Sequence, residues 1–391
     1  MKSKGMSIIN KITWKTVRLG DIGRVVTGKT PSTNDSKNFG GGYPFITIPD
    51  LKDQRYVRHT ERTISEKGAS MLRTIKLPPN SIVVSCLATV GEVGITTRES
   101  FSNQQINALI PDSEIVSSDY LYYLFRRLKR QLQSYDGSVY TNISKSKFED
   151  IEVDLPLLNT QKHSVDILSA FDDKVENNNR IIKTLEEMAQ AIFKEWFVNF
   201  RFFGHENAEF VDSELSRIPK GWEVKNVLEI IRRISVGKKY ENKTALSTGV
   251  VSILDQGQSG CIGYHNDEPG VLASIDEPVV VFTNHTCNYR LITYPFSAIQ
   301  NVLPYIGSNG YPTIFIYYLT REKITMQEYK GHWPEFEEQE FLVPPAALAE
   351  EFASFVKPMV QKIVEVEHEN KKLTTMRDLL LPKLMSGELR V

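Results

Sequence analysis

Two segments of this chain carry the same heptad pattern at a fixed offset, and no other feature of the sequence restricts the fold as strongly. Alternating steps of three and four run through Leu168, Phe171, Val175, Asn178, Ile182, Leu185, Ala189, Ile192 and Trp196. The same register recurs 188 residues on, at Val356, Met359, Ile363, Val366, Asn370, Leu373, Arg377, Leu380 and Leu384. A repeat of about 3.5 residues held over this length predicts a coiled-coil seam. Each seam holds one asparagine, which costs stability there but can fix the alignment of the helices. Antiparallel pairing at a constant index sum sets Asn178 against Asn370, Val175 against Leu373 and Trp196 against Phe352. Two unrelated helices, each packed on its own domain, would also account for the stripes, and the pattern alone leaves both arrangements open.

A weaker repeat precedes each helix. Trp14-Lys15-Thr16-Val17 is echoed by Trp222-Glu223-Val224-Lys225, and Val25–Lys29 by Ile234–Lys238. The strand-like Ser81–Ser85 resembles Pro278–Phe282, and Tyr120–Leu124 resembles Phe315–Leu319. A Gly-led loop and a Phe follow, at Gly137…Phe148 and Gly331…Phe336, then the exits Leu155-Pro156 and Val343-Pro344. The offset is 208 residues at the tryptophans but 188 at the prolines and in the helices. Divergent modules joined to constant spacers would give that pattern. Short β-branched runs bounded by Gly, Pro and Asn predict strands. Tyr120–Tyr135 has helical spacing at Leu121, Leu124, Phe125, Leu128 and Leu132, with a basic face of Arg126, Arg127, Lys129 and Arg130. The expected fold is two tandem α/β (α+β) domains plus two long helices forming an antiparallel coiled coil. The expected boundaries are 1–156 and 204–345 for the domains, and 157–203 and 346–391 for the helical spacers.

Composition narrows the function. No apolar run approaches the roughly 20 residues of a membrane span, and the opening residues lack a signal-peptide core. Cys86, Cys261 and Cys287 are scattered and show no zinc-ligand spacing, so a cytoplasmic chain with unpaired thiols is expected. The net charge of −1 conceals an asymmetry: residues 1–156 hold 22 Lys+Arg against 16 Asp+Glu (+6), and residues 204–345 hold 12 against 18 (−6). If both domains bind nucleic acid, the second must rely on a local patch or on partners for its electrostatics. Motifs for catalysis are missing: there is no H-E-x-x-H, no complete phosphate loop, no G-x-G-x-x-G after a strand and no G-x-S-x-G. Gly28-Lys29-Thr30 ends like a phosphate loop, but the upstream glycine is absent, and the stretch reads as a strand-to-loop turn.

Several stretches resemble the specificity (S) subunits of type I restriction-modification systems. The similar residues are Val17–Ile22 with Thr27–Ser32, Tyr43–Leu51, Ala88–Ile95 and Asn103–Asn107 in the first module. Ile151–Gln161, followed by Phe171–Asn178, resembles the family's conserved spacer. Ile218–Trp222 resembles the start of a second recognition domain, and Leu380–Leu389 the terminal motif. The likeness covers nearly the whole chain and is weakest within 235–340. It implies a non-catalytic DNA-binding subunit that joins two modification subunits and two restriction (motor-nuclease) subunits on double-stranded DNA. S-adenosylmethionine and ATP with magnesium would belong to those partners, with no cofactor or metal on this chain. Each recognition domain would read one half of a bipartite target. A helix of about 36 residues spans roughly 54 Å, or about 16 base pairs of DNA, and would set the half-site spacing.

Base edges are read by Arg, Lys, Asn and Gln, and phosphates are held by Lys, Arg, Ser, Thr and Tyr. That chemistry picks out Lys29, Thr30, Ser32, Thr33, Asn34 and Lys37 in one loop. It also picks out Ser138, Tyr140, Thr141, Asn142, Lys145 and Lys147 in a second, and Asn103, Gln104 and Asn107 in a third. Side-chain amides in the third could equally tie a turn to the backbone. In the second module the candidates are Lys238, Lys239, Tyr240, Asn242 and Lys243, then Asn284, His285 and Asn288, then His332 and Trp333. The basic face Arg126–Arg130 suits a phosphate contact or a solvated surface better than base reading. Two other functions fit the same sequence: a two-domain scaffold that binds no DNA, and a nuclease whose site has no recognised motif.

Overall fold

The structure is a computed structural model that describes residues 14–391 apart from 53, 134–141, 213–216, 258–259, 322, 327 and 329. It divides into two compact units. Unit 1 runs to Val175 and resumes at Lys371, and unit 2 is Glu176–Asn370.

Unit 1 contains strands β1 (Lys15–Arg18), β2 (Gly23–Thr27), β3 (Phe39–Ile46), β4 (Tyr56–Val57), β5 (Arg62–Ile64), β6 (Ile82–Ser85), β7 (Val93–Thr96), β8 (Phe101–Ser102), β9 (Ile106–Pro111) and β10 (Glu152–Leu155). Its helices are α1 (Glu66–Met71), α2 (Ser118–Gln133), α3 (Lys145–Glu149) and the first part of α4 (Leu158–Phe197). Among the described residues the strands form a sheet of order β2-β9-β6-β7-β4, a second of order β5-β3-β8, and the pair β1-β10. The β-branched run of β6 lies centrally and is buried throughout, so its side chains alternate between two cores. Ile82 and Val84 face α2, while Val83 packs with Val26, Ile46 and Val57 on the other side. The Ser117 hydroxyl caps α2 by accepting the Tyr120 N–H at 3.1 Å. The helix then buries Leu121, Leu124, Phe125 and Leu132, the spacing legible in the sequence.

Gln161, fully buried, ties the start of α4 to this unit. Its amide accepts the Ser117 N–H at 3.1 Å and donates to the carbonyls of Ile115 and Pro156, each at 3.0 Å. Further along, Leu168 packs with Leu381, Leu384 and Met385 of the C-terminal helix α8 (Ala346–Ser386) against Tyr120 and Leu124. Arg377, at an apolar-type position of the heptad, is buried and meets Asp172 at 2.5 Å. Asp172 also accepts the Tyr123 hydroxyl at 2.6 Å. Part of the basic face of α2 makes contacts within unit 1, while Arg130 is exposed. Arg127 donates to the Met385 carbonyl at 2.7 Å, Lys129 pairs with Glu92 at 2.7 Å, and Arg126 lies 4.0 Å from Asp378. Burial pushes the Cys86 thiol up to about 11, as befits a small core residue.

Unit 2 repeats this topology. Its strands are β11 (Phe210–Asp212), β12 (Arg217–Pro219), β13 (Glu223–Asn226), β14 (Ile231–Arg233), β15 (Val251–Leu254), β16 (Cys261–His265), β17 (Val279–Thr283), β18 (Tyr289–Ile292), β19 (Phe296–Ala298), β20 (Val302–Gly307) and β21 (Glu340–Val343). Helices α5 (Val227–Ile230), α6 (Thr313–Thr320) and α7 (Trp333–Glu337) complete it. The sheet β14-β20-β17-β18 matches β2-β9-β6-β7, and β16-β15-β19 matches β5-β3-β8. The match includes the parallel pairs β15–β19 and β3–β8 and the closing pairs β13–β21 and β1–β10. The similarities along the chain are therefore two copies of one fold. In β17, Val280 and Phe282 face the aromatic core, while Val279 and Val281 face the other.

Within unit 2 the last part of α4 runs antiparallel to the first part of α8. Trp196 and Phe352 lie with ring centroids 6.0 Å apart. Asn178 is fully buried and donates to Asn370 Oδ1 at 2.9 Å and to Glu369 at 2.8 Å. Asn370 in turn donates to Asn179 at 2.9 Å. The bonds of this amide cluster form in only one register, and Asn178 Oδ1 has no partner among the described residues, so the cluster selects alignment more than it adds stability. Asn178→Leu is expected to keep the helices folded but loosen their alignment, visible as a changed oligomeric state in light scattering. An unaltered assembly with unaltered helix protection would count against this role.

Candidate nucleic-acid interface

In unit 1, three sequence-distant segments meet where strands end. β2 runs into Gly28-Lys29-Thr30, and the Lys29 N–H donates to the Ser102 carbonyl at 2.9 Å. A Cβ on Gly28 would sit 2.1 Å from the Asn103 carbonyl, so only glycine permits this approach. The Thr30 hydroxyl reaches Gln104 at 2.7 Å. Asn103 is turned inward, donating to Gln105 Oε1 and accepting the Gln105 N–H, so it holds the turn. Asn107 is buried and donates to the Ile143 carbonyl at 2.9 Å, joining the segment that carries Asn142, Lys145 and Lys147.

The outward chemistry of this face is polar and basic. Lys29, Ser32, Thr33, Asn34, Lys37, Gln104, Asn142, Lys145 and Lys147 are exposed. Lys29 and Lys37 have no ion pair among the described residues, and Lys145 has a loose one with Glu149 at 3.5 Å. Ser138, Tyr140 and Thr141 lie outside the described residues.

Unit 2 gathers the equivalent loops but neutralises more of their charge. Lys238 pairs with Asp267 at 2.8 Å, Lys243 with Glu241 at 2.7 Å, and Lys330 with Glu335 at 2.6 Å. Lys239 and Asn242 are exposed. Tyr240 is buried instead: its ring stacks on His265 at 4.2 Å, and its hydroxyl bonds Asp267 at 3.0 Å. Asn288 folds back onto the Gln256 carbonyl and Thr286. His285 Nδ1 lies 2.8 Å from the Lys330 carbonyl. Trp333 lies in the aromatic core. For Tyr240, Asn288, His332 and Trp333, polar atoms or rings selected as outward contacts are engaged within the fold.

Sequence reasoning missed Gln256 and Arg290. The Gln256 side chain accepts the His285 N–H, and its carbonyl accepts the Thr286 hydroxyl at 2.7 Å. Arg290 donates to the carbonyls of Gly260 and Asp255, bracing the same loop from β18. These contacts join residues about 30 positions apart, and no local spacing marks them.

His332 has both ring nitrogens facing acceptors: Glu335 Oε2 at 2.8 Å and the Glu328 carbonyl at 3.1 Å. Two donated bonds require the imidazolium. The hydrogen bond to Glu335 raises the ring above its ordinary 6.5, while burial and, to a smaller extent, nearby Lys330 oppose the shift. A raised folded value means the stabilisation is complete below the unfolded value and fades as pH climbs through the folded one. The 328–335 segment should therefore gain hydrogen exchange, after correction for the intrinsic rate, as pH rises above 6.5. His332→Gln should remove that dependence, and a pH-independent segment in the parent would contradict the assignment.

Among the described residues, no cluster of three or more His, Cys, Asp or Glu could hold a metal, and no helix is long and apolar enough to cross a membrane.

Comparison with known proteins agrees with this architecture. Residues 11–187 match the type I restriction modification DNA specificity domain. A type I restriction enzyme specificity subunit of Methanocaldococcus jannaschii (MjaIX) is 29% identical, covering 97% of this chain and 94% of its own length. The HindI specificity subunit of Haemophilus influenzae is 36% identical over 41% of this chain and 34% of its own. The crystal structure of a type I restriction-modification S subunit from M. genitalium shares the fold, with a TM-score of 0.60 at 17% identity. It covers 97% of this chain and 98% of that one. With the duplicated fold and paired helices beside these matches, the chain is similar over nearly its whole length to type I restriction-modification specificity subunits, and residues 11–187 match their DNA specificity domain.

Proposed function

We propose that this chain is the sequence-reading, non-catalytic subunit of a type I restriction-modification complex in the cytoplasm, each unit contacting one half of a bipartite double-stranded DNA target. The observation that carries this reading is the convergence in unit 1 of exposed Lys, Asn, Gln, Ser and Thr side chains from loops far apart in sequence. Such side chains meet base edges and phosphates. The unpaired lysines of unit 1 suit phosphate binding without help. Unit 2, with its lysines countered by carboxylates, would lean on partner subunits for electrostatics. Two modification subunits would dock on the helices and supply the S-adenosylmethionine-dependent adenine methylation. Two restriction subunits would bring ATP and magnesium, and the helices would set the half-site spacing.

The test is to express this chain with its modification subunits and map methylated adenines by single-molecule sequencing. A bipartite motif that vanishes when this chain is omitted is the expected result. Exchanging the Lys29–Asn38 loop should alter one half of that motif only, and loss of both halves would overturn the one-unit-per-half reading. Methylation indifferent to this chain would favour a scaffold that binds no DNA. Metal-dependent cleavage by the isolated chain would favour a nuclease.

A further inference from the structure

We propose that each unit contains an asparagine brace, Asn107 in unit 1 and Asn284 in unit 2, whose positioning of the surrounding loops sets the sequence read by that half alone. The inference rests on the proposed DNA-reading function and goes beyond it by separating residues that place the readers from the readers themselves.

Asn107 is only 2% exposed, so it cannot reach a base. Its Nδ2 donates to the Ile143 carbonyl at 2.9 Å, and its Oδ1 accepts the Thr27 hydroxyl at 2.7 Å. Thr27 is the last residue of β2, two positions before Lys29. Ile143 lies between exposed Asn142 and exposed Lys145. One amide therefore sets the distance between loops that are 80 and 36 residues from it along the chain.

The backbone around it repeats in unit 2. After β6, Cys86 donates its N–H to Gln105 at 2.8 Å and accepts the Ile143 N–H at 3.0 Å. After β17, Asn284 donates its N–H to Asn301 at 2.9 Å and accepts the His332 N–H at 2.9 Å. Here the residue after the strand brings its own amide: Asn284 Oδ1 accepts the Trp333 N–H at 2.8 Å and so fixes the entry of α7. Both units tie the segment before a short helix, Ile143 before α3 and His332-Trp333 before α7, to a strand end through a buried or half-buried asparagine. Asn107 ties it to the end of β2 and Asn284 to the end of β17, so the two braces hold corresponding segments from different strands.

The prediction is a double dissociation, read on the assembled methyltransferase by sequencing its methylated sites. Asn107→Ala should relax discrimination in one half of the motif by about tenfold or more, the scale of a base-pair mismatch, and leave the other half unchanged. Asn284→Ala should do the converse. Asn284→Asp keeps the acceptor for Trp333 while losing the amide donor. Parental specificity in this variant supports a positioning role, and specificity as poor as that of the alanine variant would mean Asn284 touches DNA directly. Should Asn107→Ala fail to assemble, Thr27→Val removes the hydroxyl partner at nearly constant volume and carries the same expectation. Relaxation of both halves together, or of neither, overturns the proposal. Absence of any motif with the parent chain would instead overturn the DNA-reading function on which it rests.

Discussion

Replacing Arg377 by methionine is expected to destabilise unit 1 by about 3–5 kcal/mol, the cost of stranding one member of a buried ion pair. The guanidinium is 10% and the Asp172 carboxylate 13% exposed, with 2.5 Å between them. Among the described residues, Asp172 without Arg377 retains one hydrogen-bond partner, the Tyr123 hydroxyl, in a region that is largely shielded from water. Hydrogen exchange should show protection falling in α2 and in the α8 residues of unit 1, while the aromatic core of unit 2 stays protected. The double variant Arg377→Met/Asp172→Leu should recover much of the loss, because an apolar pair needs no desolvated charge. A single variant as stable as the parent would show that the pair is solvated in solution.

Phe352→Ala is the corresponding loss in unit 2, expected to cost about 3–5 kcal/mol. Phe352 is fully buried, and its ring lies within 5.2–6.0 Å of Phe193, Trp196, Phe197 and Tyr318. That cluster joins both long helices to α6 and to Trp222, so the vacancy left by one ring is felt by elements on every side. Urea unfolding followed by exchange in β17 and α6 would report it. A cost near 1 kcal/mol would mean the surrounding rings close the cavity. Phe352→Leu should recover part of the loss, since it restores volume without the edge-to-face contacts.

The candidate site was legible in the sequence only as residue types. Residue type alone selected Lys29, Ser32, Asn34 and Lys37, and these are exposed on a strand-exit loop. The same reasoning selected Tyr240 and His332, which the fold engages internally. Composition cannot distinguish the two groups. An asparagine or histidine suited to a base edge is equally suited to a carbonyl or carboxylate, and the partner is chosen by residues dozens of positions away. Arg126 and Arg127 illustrate the same point: the helix period places them on one face, but their partners come from α8.

What the amino-acid order determined by itself is whatever depends on local period and on repetition. The heptads specify two helices and their seams, because a period near 3.5 fits no other backbone geometry. The recurrence of Trp, β-branched run, aromatic helix and apolar-Pro exit specifies two copies of one fold. What only the tertiary structure decided is pairing at long range. Asn107 bonding Ile143, Gln161 pinning α4 and Asp172 shared by Tyr123 and Arg377 each join elements whose separation carries no period. A hydrogen bond lasting in a buried site is set by which groups the folded backbone leaves unsatisfied there, and those groups exist only once the unit that holds them has closed around them.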